Sequence, residues 1–295
     1  MKARFLMIPM LLVAASCQQE LDTPDPIVKP EEGSGAQTFS LTIQASKGTE
    51  TRALDLDGNT LTPYWKNNDV VNVYKNGSFL GTITVQCTGE KPTTATLTGT
   101  MTGTMPAKDD VLTLLIPRET WNYTQQTGAL TGTGSIEDTF DYATATVTVD
   151  AIDEDSVTTT AADFRNEQSI YRFSFKNGSN ALSVKDFTVS AVGGNLVQSR
   201  TLSGSDWTSV KGALVVKPVA ATTDPLYVSL RNETTADDTY SFVVTSDNNA
   251  LYMATKTIPA AALATPGKFV SGTITVTQPD FSPSSGEISN EDLVL

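Results

Sequence analysis

The residue pattern predicts an all-β protein built as two tandem β-sandwich domains. Threonine and valine are abundant, and apolar residues tend to alternate with polar ones, as they do when one face of a sheet is buried. About seven short strands per half, separated by turn residues, is the spacing of a sandwich. No stretch has the periodicity of a long amphipathic helix, and no fixed internal period points to a propeller or solenoid.

The first seventeen residues read as an export signal. Lys2 and Arg4 precede an apolar run from Phe5 to Ala15, too short to anchor a chain across a bilayer. Ala14, Ala15 and Ser16 are small, as a signal peptidase requires, and Cys17 follows. The pattern resembles a bacterial lipobox, with Ala14 in place of the usual leucine. Residues 1–16 are therefore expected to be removed and Cys17 to carry lipid, whose several acyl chains hold to a membrane through roughly 0.8 kcal/mol per buried methylene. The polar, acidic residues Gln18 to Asp22 resemble the signal that sends lipoproteins of Bacteroidota to the outer face of the outer membrane. Residues 17–36, rich in Pro, Glu, Gly and Ser, read as a flexible tether.

A first domain is expected over residues 37–160. Phe39, Leu41, Ile43 and Ala45 fall on one face of its opening strand. Val71 and Val73 follow, with Asn76-Gly77 as a hairpin turn before Phe79 and Ile83. Further strands cover Ala95 to Gly99, Val111 to Ile116, stopped by Pro117, and Tyr142 to Val149. The acids and threonines from Asp150 to Asp163 read as an interdomain connection. The second domain, 161–278, shows strands at Ile170 to Phe175, turning at Lys176-Asn177-Gly178, then at Phe187 to Ala191, Ala213 to Val216, Leu226 to Leu230, Tyr240 to Thr245, Leu251 to Ile258 and Phe269 to Thr277. Pro259 to Ala264 fits one short helical turn. Residues 279–295 form a tail with two prolines and several acids.

Composition narrows the function. The net charge of −13 becomes about −15 once the signal is removed with its two cations, a surface that repels nucleic acid and anionic membrane. The chain contains no histidine, which removes Ser-His-Asp and Cys-His nucleophilic sites and the commonest zinc constellations. Glycoside chemistry with two carboxylates needs only Asp and Glu, but no pair of acids stands out. No metal or other cofactor is expected. With Cys17 assigned to lipid, Cys87 has no internal partner and reads as a buried structural thiol.

The lipobox, the acidic tether, an early strand followed by Thr51-Arg52-Ala53, the run Tyr64-Trp65-Lys66-Asn67-Asn68-Asp69-Val70-Val71-Asn72-Val73-Tyr74, and the strand-turn-strand from Ile170 to Ala191 together resemble fimbrillin-type lipoproteins, the pilin family of Bacteroidota. The resemblance implies two transthyretin-like β-sandwiches. It also implies cleavage by an arginine-specific protease at Arg52-Ala53, removing the lipidated segment with the strand Gln37 to Ala45. A strand from another subunit then fills the groove, with main-chain hydrogen bonds supplying affinity and alternate side chains setting register. Read from the residues alone, Arg52 is a surface arginine in a turn; only the resemblance makes it a cleavage site. The tail, with Ile288 and Leu293-Val294-Leu295, is either a donor strand or a disordered acidic end.

Three weaker signals complete the reading. Trp65 and Trp121 could form an aromatic platform for sugar rings, with Trp121-Asn122-Tyr123 placing polar and aromatic groups together after Pro117, or serve as packing. Asp155-Ser156-Val157 matches a short O-glycosylation sequon, which makes Ser156 a candidate modification site. The acidic run from Asp150 to Asp155 lacks the ordered ligand spacing of a calcium loop. The sequence thus predicts a non-enzymatic cell-surface lipoprotein, a fimbrial subunit or accessory adhesin, with other pilin subunits as partners and host or bacterial glycans or proteins as ligands. The alternatives are a non-polymerising glycan-binding lipoprotein and, third, a glycan-cleaving enzyme.

Overall fold

The structure, a computed structural model, describes residues 37–47, 54–57, 60–263 and 265–279. Cys17, Arg52, Ala53 and residues 280–295 lie outside these, so the expectations placed on them still belong to the sequence. The regular structure of the described residues is almost entirely strand, and none of their helices is long and apolar enough to cross a membrane.

The strands of the first half are β1 (Gln37–Lys47), β2 (Leu54–Asp57), β3 (Thr60–Pro63), β4 (Val70–Lys75), β5 (Ser78–Gln86), β6 (Thr94–Gly103), β7 (Val111–Ile116), β8 (Thr120–Asn122), β9 (Ala143–Asp153), β10 (Ser156–Thr159) and β11 (Ala162–Asn166). Those of the second are β12 (Ser169–Asn177), β13 (Asn180–Ala181), β14 (Val184–Ala191), β15 (Val197–Ser203), β16 (Asp206–Lys211), β17 (Leu214–Val216), β18 (Leu226–Leu230), β19 (Asp238–Ser246), β20 (Leu251–Ile258) and β21 (Phe269–Val276). A π-helical turn covers Ile136–Phe140, and the short helix α1 spans Ala260–Leu263, where a helical turn was expected. Asn76 and Gly77 both take positive φ, 49° and 76°, as the tight hairpin joining β4 to β5 requires. β7 ends at Ile116 because Pro117 has no N–H to continue the ladder.

Hydrogen bonding in the first half runs unbroken through β1, β11, β9, β7, β4, β5 and β6, and β6 pairs back onto β1. A stacked sandwich would leave two separate sheets; here the sheet closes on itself. Closure removes every edge around the ring. Inside sit the alternate side chains of these strands, among them Phe39, Leu41, Ile43, Val71, Val73, Ile83, Leu97, Leu112, Leu114, Val147 and Phe164.

The span expected to connect two domains belongs to this ring. Asp153 and Ser156 face each other across a β9–β10 hairpin, with Glu154 in the left-handed region at φ 48°. β10 and β11 then fill successive parts of one slot between β1 and β9. Val157, Ala162 and Phe164 point inward while the acids face solvent, so the polar appearance of the sequence reflects only the outer face. Ala162 and Phe164 thus enter the first core beyond the expected division at residue 160.

In the second half, β12 pairs with β13 and β18 antiparallel and with β21 parallel. A second sheet runs β17-β14-β19-β20. Between them pack Phe173 and Phe175 of one sheet and Phe187 and Phe242 of the other; the Phe173 and Phe242 rings lie 5.2 Å apart, edge to face. β8 crosses from the first half to pair with β15, carrying Trp121 and Tyr123 into this second core together with Tyr74, Leu115 and Tyr142.

Glu167, in the bend between β11 and β12, ties the halves together. Its carboxylate accepts from Arg200 at 3.0 Å, Arg231 at 2.5 Å and Thr144 at 2.8 Å, and its carbonyl accepts from Arg231 at 2.6 Å. Beside it Gln168 donates to Asp141, and the Tyr142 N–H donates to Gln168. Hydrogen bonds to charged groups in such partly shielded positions are among the stronger ones.

Candidate strand-exchange site

β1 is the strand that closes the ring. On one side it runs antiparallel to β6 in an unbroken register from Gln37↔Gly103 to Ser46↔Thr94. On the other it runs parallel to β10, from Ser40↔Ser156 to Thr42↔Thr158, and then to β11, from Ala45↔Ala162 to Lys47↔Phe164. Its burial alternates strictly: Phe39, Leu41, Ile43 and Ala45 are 1%, 0%, 0% and 4% exposed, while Ser40, Thr42 and Gln44 face outward. The alternation read in the sequence is therefore the physical register of the strand.

The packing under β1 is shaped for it. Leu41 lies opposite Gly99, where a β-carbon would stand 2.5 Å from the Thr82 carbonyl oxygen and 2.9 Å from Ile83 Cα. Only glycine lets β6 approach β5 so closely there, with Thr82 and Ile83 of β5 occupying the place of a side chain at Gly99. Ile43 faces Leu97 and Phe39 faces Met101 across the same pair of strands. Withdrawing β1 would leave β6 on one side, and β10 and β11 on the other, with unpaired N–H and C=O groups flanking an apolar trough.

Both ends of the strand are fastened. Near its start, the Ser40 N–H and hydroxyl both donate to the Asp155 carbonyl, at 2.7 and 3.2 Å. At its end, Ser46 donates to Asp163, and the Lys47 N–H donates to the Thr93 carbonyl at 2.8 Å. The Lys47 side chain is buried; its ammonium donates to the Tyr64 carbonyl and lies 4.7 Å from the centre of the Trp65 ring. Trp65 in turn packs edge-on against Phe164 at 5.3 Å. Neither Lys47 nor Trp65 was singled out for this role in the sequence, and a buried lysine leaves no signature in alternation. Arg52 and Ala53 follow in the chain, between Lys47 and β2, outside the described residues.

The other predicted positions are dispersed. Ser156 is exposed, as an acceptor for modification must be, but it begins β10 beside Ser40 and is not in a loop. Trp65, Trp121 and Tyr123 are 1%, 0% and 0% exposed. Trp121 is sandwiched between Trp207 at 4.0 Å and Tyr142 at 5.5 Å, and Tyr142 meets Tyr123 edge-on at 5.1 Å. The expected open platform for sugar rings is therefore corrected: Trp121 and Tyr123 glue β8 into the second core, and none of the three offers a face to solution. Burial drives the Tyr123 hydroxyl well above its usual range, so it stays protonated. Cys87 is half-buried rather than buried, just past β5, with Sγ 3.7 Å from the Trp65 carbonyl, and burial pushes its thiol up. Among the described residues no group of His, Cys, Asp and Glu could hold a metal ion.

No family model matches the chain, and no curated protein matches it. Solved structures do resemble it at low identity. A candidate cell adhesion protein of Bacteroides ovatus aligns at 10% identity and TM-score 0.43 over 83% of this chain and 97% of its own. A fimbrial assembly protein of Parabacteroides distasonis aligns at 10% identity and TM-score 0.39, covering 80% and 91%. The tip fimbrial protein Mfa3 of Porphyromonas gingivalis, truncated at its C-terminus, aligns at 10% identity and TM-score 0.36, covering 74% and 81%. These neighbours are of the kind that the sequence resemblance names.

Proposed function

We propose that this chain is a cell-surface fimbrial subunit or accessory adhesin whose β1 is a removable plug. In this reading Cys17 carries the lipid that delivers the precursor to the outer membrane, and the two halves act as transthyretin-like domains in tandem. Cleavage at Arg52-Ala53 frees β1 together with everything before it. The vacated slot then takes a strand from another subunit. The tail 279–295, with Ile288 and Leu293-Val294-Leu295, is the candidate donor in this chain.

One observation carries the proposal: β1 closes the ring, yet among the described residues it is the first strand, joined to all the others through the segment that contains Arg52. It is first in order among them and a central strand in space. Such a strand can leave after one cut without unthreading any other described element, and what it leaves behind is a slot with hydrogen-bonding edges on both sides and pockets at every second residue. That is the geometry β-strand addition needs.

The test is to treat surface-displayed protein with an arginine-specific protease, read the new N-terminus, and examine the product by electron microscopy. The expected result is a chain beginning at Ala53 that assembles into oligomers or fibres. A chain that stays uncut, starts elsewhere, or remains monomeric after losing β1 overturns the reading.

A further inference from the structure

Away from the β1 slot, a cleft separates the outer face of the ring from the β15–β16 hairpin. Two cavities of about 440 and 300 Å³ adjoin there, sharing Tyr74, Gly77 and Leu202 as walls. Their common waist is the meeting of two hairpin tips. A β-carbon on Gly77 would lie 2.2 Å from Gly204 Cα, so the backbones touch where Gly77 has no room for a side chain, whereas a β-carbon on Gly204 would point into open space. Both glycines take positive φ, 76° and 62°, which fixes the two tips in this contact.

The lining combines aromatic faces with hydrogen-bonding groups. Phe79 is 55% exposed, so its ring is open to a ligand, and its centroid lies 5.4 Å from Tyr74. On the far side of the waist Trp207 is half-buried, with the Trp121 ring centre 4.0 Å away and the Arg200 guanidinium over its ring at 4.6 Å. Tyr74, Thr113 and Thr146 are successive cross-strand partners on β4, β7 and β9, and so form a flat row along the floor. Glu119 accepts the Tyr74 hydroxyl, and Asn72 donates its amide to the Pro117 carbonyl, which leaves its own oxygen as an acceptor. The Tyr74 hydrogen bond holds the Glu119 carboxyl below its ordinary range, so it is an anion at neutral pH.

Flat apolar faces flanked by acceptors and hydroxyls suit a ligand that alternates C–H faces with O–H groups. The cavity sizes fall in the roughly 300–1,000 Å³ range of small-molecule sites. An anionic ligand would meet both the Glu119 carboxylate and a chain of net charge −13. We propose that this cleft binds a neutral oligosaccharide, with Phe79 stacking on a sugar ring on one side of the Gly77–Gly204 waist, the edge of Trp207 bounding the other, and Glu119 accepting from hydroxyls. The site is separate from the β1 slot and stands whether or not strands are exchanged.

The test is to screen the full chain on an array carrying neutral and sialylated glycans, then titrate the best neutral oligosaccharide by calorimetry and by tryptophan fluorescence. Saturable binding that perturbs the fluorescence is expected. Phe79→Ala should weaken it at least tenfold at unchanged melting temperature, since this ring is largely exposed, and Glu119→Gln should weaken it as well. If Phe79→Ala misfolds, Phe79→Gln, which keeps a side chain of similar reach, supplies the same comparison. The proposal is overturned if no neutral glycan binds, if only sialylated glycans bind, or if affinity survives both the Phe79 and the Glu119 substitutions.

Discussion

Leu41→Ala tests how much of the grip on β1 resides in its inward side chains. Leu41 is fully buried, and the residue it faces across the β1–β6 ladder is Gly99, which has no side chain to move into the space. The surrounding backbone is already tight, so the cavity should stay open. Buried leucine-to-alanine changes cost about 2–5 kcal/mol, and poor collapse places this one near 3–4 kcal/mol. Thr42→Ala, one residue along and facing outward, should change stability by less than about 0.5 kcal/mol. In the intact chain the difference is read from equilibrium urea unfolding. In protein nicked after Arg52, β1 becomes a non-covalent ligand, and about 3 kcal/mol corresponds to roughly a hundredfold weaker hold. Size-exclusion chromatography followed by mass spectrometry then reports how much of the N-terminal fragment is retained. If Leu41→Ala and Thr42→Ala retain it equally, or if Leu41→Ala costs under about 1 kcal/mol, the inward residues do not set the hold and the plug argument fails.

Other outcomes follow from the same geometry. Ser40→Cys combined with Thr100→Cys, on facing residues of β1 and β6, should form a disulfide that keeps nicked protein monomeric under oxidation and releases it for assembly on reduction, as sedimentation would show. Gly99→Ala should destabilise by about 1–3 kcal/mol in a denaturation series, because its β-carbon would press on the Thr82 carbonyl and on the Ile83 backbone. Glu167→Ala leaves Arg200 and Arg231 with only the longer carboxylate contacts to Glu233, 3.9 and 3.8 Å, and should cost about 1–3 kcal/mol, with loss of a single cooperative transition in calorimetry. Tyr74→Phe should move the Glu119 carboxyl back up toward the ordinary range, visible by NMR titration of that side chain. Because the folded carboxyl is depressed in the native protein, its contribution to stability is present above the usual glutamate range and is lost as pH falls through the lowered folded value.

Much of this fold was legible in the chain. The strands Val111 to Ile116, Leu226 to Leu230 and Leu251 to Ile258 sit where alternation and turn residues place them, and the inward set of β1 is the set read from period two. β10 and β11 were missed because each is short and carries its acids on the outer face. Asp150 to Asp163 therefore resembled a connection until the partners of Val157 and Phe164 were known. Trp121 and Tyr123 misled for the opposite reason: an aromatic-polar-aromatic run has the same look in a binding loop and in a strand that docks into a core.

The chain by itself determined local matters: which residues alternate, where prolines and Asn-Gly pairs end strands, and which chemistries a protein without histidine forgoes. These depend on backbone preference and side-chain pattern over a few neighbours. The tertiary structure alone decided that the first sheet closes through β1, that β8 belongs with the second core, and that Phe79 and Trp207 flank a cleft. Each of those outcomes joins residues far apart in the sequence, and pairing over such distances is set by which faces remain to be buried once the local strands have formed.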